Sequence, residues 1–150
     1  MKRPSKDEYY LDIAFSVLKR STCLKRHYGC VIVKNDIIIA TGYNGSPRGE
    51  ENCCDIGLCK RADAKRYTGY ESCVGVHAEQ NALIAADAEK LIGATVYLAC
   101  EEANVTQLTA YEKEIIWRED IHPVPCPLCR RMLKNAGIAR VVNRSGDVCL

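Results

Sequence analysis

Two short runs, His77-Ala78-Glu79 and Pro125-Cys126-Pro127-Leu128-Cys129, carry side chains whose types and spacing suit metal chemistry. One imidazole and two thiolates make three zinc ligands, and a tetrahedral ion held by three protein atoms keeps its fourth position for water. Zinc draws the pKa of such a water towards neutrality, so a nucleophile is available at physiological pH. Glu79 need not be a ligand and is then free to carry protons. An H-x-E followed by P-C-x-x-C therefore reads as zinc-dependent hydrolytic deamination.

Those side chains need elements to hold them. The stretch Arg130-Arg131-Met132-Leu133-Lys134 reads as helix up to Gly137, a natural residue just past a helix end. Cys126 and Cys129 then share a first helical turn, where unpaired N–H groups and the positive dipole end favour thiolate. His77 opens a second helix, in which Ala78, Ala82, Leu83, Ala85 and Ala86 can lie close against a sheet. Two helix N-termini meeting at one ion is the expected geometry. Around them the chain alternates α and β. Ser5 with Glu8 forms a capping-box signature before Tyr10, Ile13, Ala14, Val17 and Leu18, predicting a helix to about Arg20. Cys30-Val31-Ile32-Val33 and Ile37-Ile38-Ile39-Ala40 read as a hairpin turned at Lys34-Asn35-Asp36, with further strands at 94–99 and 139–142. The glycine-rich run 41–49 is a candidate ligand loop. In the segment from Glu101 to Val124, residues 106–117 have an amphipathic helical pattern; a surface excursion in which Trp117 covers an edge is favoured there over a substrate lid.

A chain of 150 residues with 47% hydrophobic and 27% charged content suits one domain, 1–150, with a three-layer core, a cysteine-rich loop at 45–75 and an inserted segment at 101–124. The net charge of +2 calls for neither nucleic acid nor a membrane. No apolar signal core follows the charged N-terminus and no spanning run appears, so the expectation is a soluble, cytoplasmic protein. Ten cysteines would otherwise suggest a disulfide framework. Cys30 and Cys100 lie in apolar strand-like runs and read as buried packing residues, and Cys149 as idle. Cys23, Cys54, Cys59 and Cys73 instead suggest a second, closed zinc site holding a loop that has few apolar residues. Four ordinary thiols is the alternative, and Cys53 can substitute for Cys54. His27 and His122 lack the motif spacing and read as polar surface or loop histidines. Lys25, Arg26 and Arg48, basic residues near the loops, are candidates for phosphate recognition or plain solvated charges.

The runs 20–26, 29–34, Thr41-Gly42-Tyr43-Asn44-Gly45, 76–82 and 125–129 together resemble the deoxycytidylate (dCMP) deaminases. The last two motifs belong to the whole cytidine deaminase-like superfamily, and the Gly42-Tyr43-Asn44-Gly45 loop narrows the match. The resemblance implies a three-layer α/β/α fold with a mixed sheet of about five strands, the fifth from residues 147–150 or from part of 101–124. It also implies conversion of dCMP to dUMP, with Glu79 moving protons among water, the pyrimidine N3 and the leaving amino group. The Ala78 N–H would orient the base and Asn44 would contact the nucleotide. Asn44 as a turn residue and Glu79 as a helix N-terminal charge are the plainer alternatives. Family members further imply a structural zinc, homo-oligomers (hexamer or dimer) and allosteric control by dCTP and dTTP. One departure is clear: residues 80–124, 45 in all, separate the two motifs, more than the family usually has, so substrate contacts near the third strand do not carry over. A deaminase of free cytidine or deoxycytidine, of tRNA adenosine or of another amino-heterocycle would share the metal chemistry. A zinc-stabilised nucleic-acid-binding module would have no use for Glu79 beside three ligands.

Overall fold

The computed structural model describes residues 1–103 and 117–150. The chain begins with α1 (Lys6–Leu18), whose capping box is complete: the Ser5 N–H donates to Glu8 Oε2 at 2.6 Å and the Glu8 N–H to Ser5 Oγ at 3.2 Å. Strands β1 (Arg26–Lys34) and β2 (Ile37–Tyr43) follow, then a single turn α2 (Cys53–Ile56), α3 (Ala78–Ala85), a turn α4 (Ala88–Leu91) and β3 (Thr95–Ala103). The last elements are β4 (Trp117–Arg118), α5 (Pro127–Asn135), β5 (Arg140–Asn143) and β6 (Gly146–Val148). The hairpin turn is the two residues Asn35 and Asp36, both at positive φ (49° and 63°), which matches the right-handed twist of the strands it joins.

The sheet runs β2-β1-β3-β5-β6, with β4 paired to the end of β3. Only β3 and β5 are parallel, so the sheet is mixed. Alternation along each strand feeds two separate cores. Val31, Val33, Tyr97, Ala99 and Val142 point towards α1, where they meet Tyr10, Leu11, Ala14 and Leu18. Cys30, Ile32, Val96, Leu98 and Val141 point the other way, towards Ala78 and Ala82 of α3 and Leu133 of α5. The expected three-layer α/β/α arrangement is borne out.

Strands and helices differ from the sequence expectation at their ends. Helix α1 stops at Leu18, two residues early. Strand β1 begins at Arg26, not Cys30, because its polar start is paired by charge across the ladder: Arg26 lies opposite Glu102 and His27 opposite Glu101. Arg26 Nε donates to Glu102 Oε1 at 2.8 Å, and His27 Nδ1 sits 2.8 Å from Glu101 Oε1. His27 is therefore a strand residue, with its other ring nitrogen 2.9 Å from the Cys23 carbonyl, whereas His122 is exposed. Both proposed sources of a further strand are used, since β6 pairs with β5 and β4 with β3. The amphipathic pattern at 106–117 lies almost entirely outside the described residues; of it, Trp117 pairs opposite Ala103.

Two glycines set how closely the helices approach the sheet. A Cβ on Gly29 would stand 2.1 Å from the Ala14 carbonyl oxygen of α1, and one on Gly42 would stand 2.3 Å from the Ala78 carbonyl oxygen and 2.5 Å from the Ala82 nitrogen of α3. These are backbone contacts that no rotamer change relieves. Gly42→Ala should push α3 outward, lowering unfolding stability by about 1–3 kcal/mol in urea titration and lowering zinc retention with it. Unchanged stability and metal content would show that α3 does not need this closeness.

Candidate metal centre and active-site cleft

Each metal-ligating candidate sits at a helix start. His77 is the N-cap of α3 in extended conformation, and its N–H donates to Gln80 Oε1 at 2.9 Å. Cys126 is the N-cap of α5, its sulfur accepting from the Cys129 N–H at 3.4 Å, with Pro127 at the first helical position where a missing N–H costs nothing. The approaches to both are pinned. Gly45 and Val76 exchange backbone hydrogen bonds of 3.1 and 2.8 Å just before His77. Buried Asn143 donates from Nδ2 to the Pro123 carbonyl at 2.8 Å just before Cys126.

The result is the convergence the motif spacing predicts. His77 Nδ1 lies 3.5 Å from Cys126 Sγ and 3.3 Å from Cys129 Sγ. Among the described residues this is the one group of three or more His, Cys, Asp or Glu donor atoms all within 4.8 Å of one another. Its proton chemistry fits a cation. Cys126 is drawn down to about 3, chiefly by the hydrogen bond from Cys129, while Cys129 is driven up by that same bond and by burial. The hydrogen bond to Cys126 raises His77. The opposed directions put the more acidic thiol at Cys126, and a divalent ion would favour thiolate at both sulfurs. One nitrogen and two sulfurs make a zinc-type donor set with a position to spare.

Glu79 follows in the first turn of α3 and is 4% exposed. Burial raises its carboxyl above the usual carboxylate range, opposed by its own backbone N–H and by His77. A cleft of about 410 Å³ opens over the centre, lined by His77, Ala78, Glu79 and Cys126, by Tyr28, Asn44 and Val76, and by residues of the cysteine-rich loop. Asn44 lines it while serving the fold: Oδ1 accepts from Ser21 Oγ at 2.7 Å and from the Tyr28 N–H at 2.8 Å, and Nδ2 donates to the Arg26 carbonyl at 2.9 Å. Of the basic candidates, Lys25 and Arg26 line the cleft and Arg48 does not.

The thiols divide differently from the sequence expectation. All ten cysteines are free, with Cys30 and Cys100 fully buried and Cys149 exposed. Cys23, Cys59 and Cys73 line the cleft together with Cys53, whose thiol is pushed up first by burial and then by these three neighbours. Cys54 is exposed, points to Asp55 Oδ1 at 3.6 Å, and is absent from that wall. The short helix α2 directs the two neighbouring side chains apart, so that Cys53, the alternative to Cys54, is the one that faces the cleft; among the described residues the four loop thiols do not converge as closely as the His77 triad does. Ser46, within the candidate ligand loop 41–49, has a buried Oγ with no partner among the described residues. Sequence reasoning missed Tyr70, whose ring centroid lies 5.6 Å from that of His77. No local pattern marks it.

The family model for the cytidine and deoxycytidylate deaminase zinc-binding region matches residues 4–144. The deoxycytidylate deaminase of Mycobacterium phage D29 is 37% identical over 146 residues, covering 95% of this chain and 96% of the phage protein. That of Schizosaccharomyces pombe is 40% identical over 124 residues, covering 77% of this chain; the match spans only 37% of the yeast protein. Among solved structures, the dCMP deaminase of cyanophage S-TIM5 in complex with dCMP and dUMP superposes with a TM-score of 0.60 at 26% identity, over 95% of this chain and 83% of the other. A donor triad at two helix starts, a buried acid beside it, and a family match over nearly the whole chain agree: this protein belongs to the cytidine and deoxycytidylate deaminase zinc-binding family.

Proposed function

We propose that this chain hydrolyses the exocyclic amino group of a cytosine nucleotide, converting dCMP to dUMP and ammonia. The observation that carries this reading is the convergence of His77, Cys126 and Cys129 beneath a cleft, with Glu79 buried next to them. Zinc held by His77 Nδ1 and the two sulfurs would act as a Lewis acid that makes water nucleophilic near neutral pH. The rest falls to the chain. Glu79 has the raised proton affinity of a group that takes a proton from water, gives it to the ring N3, and then carries a second to the departing nitrogen. The C4–N bond breaks, C4 keeps the oxygen, and nitrogen leaves as ammonia. Ala78 is the first residue of α3, so its N–H has no partner within the helix and is available to orient the base. Asn44, with one amide hydrogen beyond those the fold uses, is the nucleotide contact. The identity to the phage D29 enzyme along nearly the full length of both chains supports dCMP as the substrate.

A second, structural zinc held by Cys23, Cys53, Cys59 and Cys73 belongs to the same reading. The buried Ser46 hydroxyl supports it, because a thiolate at the neighbouring Cys53 would accept the proton that otherwise has no acceptor. The loop buries none of its own apolar side chains and needs another source of order. Control by dCTP and dTTP, assembly into homo-oligomers and a reducing cytoplasmic setting for the free thiols complete the proposal, and family membership supports them. No helix among the described residues is long and apolar enough to cross a membrane.

Three measurements test this. Purified protein offered dCMP, deoxycytidine, cytidine and a tRNA stem-loop, each with and without dCTP, should turn over dCMP fastest; preference for any other substrate rejects the assignment. Glu79→Gln should keep its zinc by atomic absorption while turnover falls about 10²–10⁴-fold, and wild-type rates would remove Glu79 from the chemistry. Cys53→Ser should lower zinc from two atoms per chain towards one whereas Cys54→Ser should not, the reverse pattern returning the ligand role to Cys54.

A further inference from the structure

A cytosine nucleotide differs from its nucleoside by a phosphate dianion, and five cations line the cleft: Lys25, Arg26, Lys60, Arg61 and Arg66. Most are engaged or peripheral. Arg26 is neutralised by Glu102, its Nη2 2.7 Å from Oε1. Lys25 Nζ donates to the Ala62 carbonyl at 2.9 Å. Lys60 and Arg66 are exposed, Arg66 lying 4.9 Å above the exposed Tyr67 ring.

Arg61 is different. It is half-buried, and its guanidinium sits over the Tyr70 ring with Cζ 4.4 Å from the centroid. Its Nε donates to the Thr68 carbonyl, which the chain brings back through Gly69 at φ +70°. One face and one edge of the fork are thereby fixed, and the Nη pair forms no ion pair among the described residues. Tyr70 in turn meets the His77 ring at a tilt of 47°, centroids 5.6 Å apart, so the fork stands one aromatic ring from the donor triad. A planar, oriented, unpaired guanidinium is the group that binds a phosphate through two parallel hydrogen bonds.

We propose that Arg61, carried on the cysteine-rich loop and held by Tyr70 and Thr68, binds the substrate's phosphate and makes this site select a nucleoside monophosphate over a nucleoside. This rests on the reading that the ligand is a pyrimidine nucleotide. It also replaces Lys25, Arg26 and Arg48, the sequence candidates, with a residue outside every motif.

The test is calorimetric titration of the zinc-loaded protein with dUMP and with deoxyuridine, which differ only in phosphate. The wild type should bind dUMP at least tenfold more tightly, and Arg61→Gln should lose most of that ratio. Arg61→Lys should keep part of it, since the charge survives without the fork, and Arg48→Gln, outside the cleft, should keep all of it. A ratio retained in Arg61→Gln, a parallel loss of affinity for both ligands, or a wild type indifferent to the phosphate each overturns the proposal. If the wild type deaminates no pyrimidine but shows an Arg61-dependent preference for dUMP, the reaction is misassigned and the phosphate contact stands.

Discussion

A single cation must be reached from two helices that are 49 residues apart in sequence at their nearest ligands, His77 and Cys126. Everything else in the molecule follows from that demand. Two of the three donors, His77 and Cys126, are N-caps, whose extended backbone turns the side chain across the helix end, and Cys129 follows in the first turn of α5. An N-cap points usefully only if its helix is held at the right height above the sheet. Height is set here by the absence of a side chain at Gly42 and by methyl groups at Ala78 and Ala82, which let α3 rest on β2 backbone to backbone. Asn81 Nδ2 locks the contact by donating to the Tyr43 carbonyl at 2.8 Å. The centre is thus a product of packing before it is a product of coordination.

Electrostatics then works on a prepared frame. Both helix starts present unpaired N–H groups and partial positive charge towards the same point, which favours thiolate at Cys126 and carboxylate at Glu79. Burial opposes this at Glu79 and raises its carboxyl, against the pull of its own backbone N–H and of His77. The same dipoles would be wasted if the two helices ran in different layers.

Much of this was legible in the residues themselves. The convergence of His77, Cys126 and Cys129 is legible because metal-donor chemistry tolerates few substitutes, and the capping box of α1 and the Asn35-Asp36 turn are equally local. What escaped was set by distant partners. The polar start of β1 reads as loop until Glu101 and Glu102 are seen opposite it. The choice between Cys53 and Cys54 depends on which way a four-residue helix faces, and adjacent positions carry no information about that. Arg61 and Tyr70 meet across the eight residues 62–69, irregular chain whose course no periodicity records.

The face of the sheet away from the cleft has its own anchor. Arg140 grips Asp7 through two hydrogen bonds of 3.0 and 2.7 Å, and the Tyr97 hydroxyl adds a third at 2.8 Å, fastening the first turn of α1 to the centre of the sheet. Because β1, β3 and β5 keep this layer and the metal layer apart, the two can be altered almost independently. Substitutions on the α1 side can then tune rigidity while the donor triad keeps its geometry, as a workbench can be re-braced from below without disturbing the tools on top.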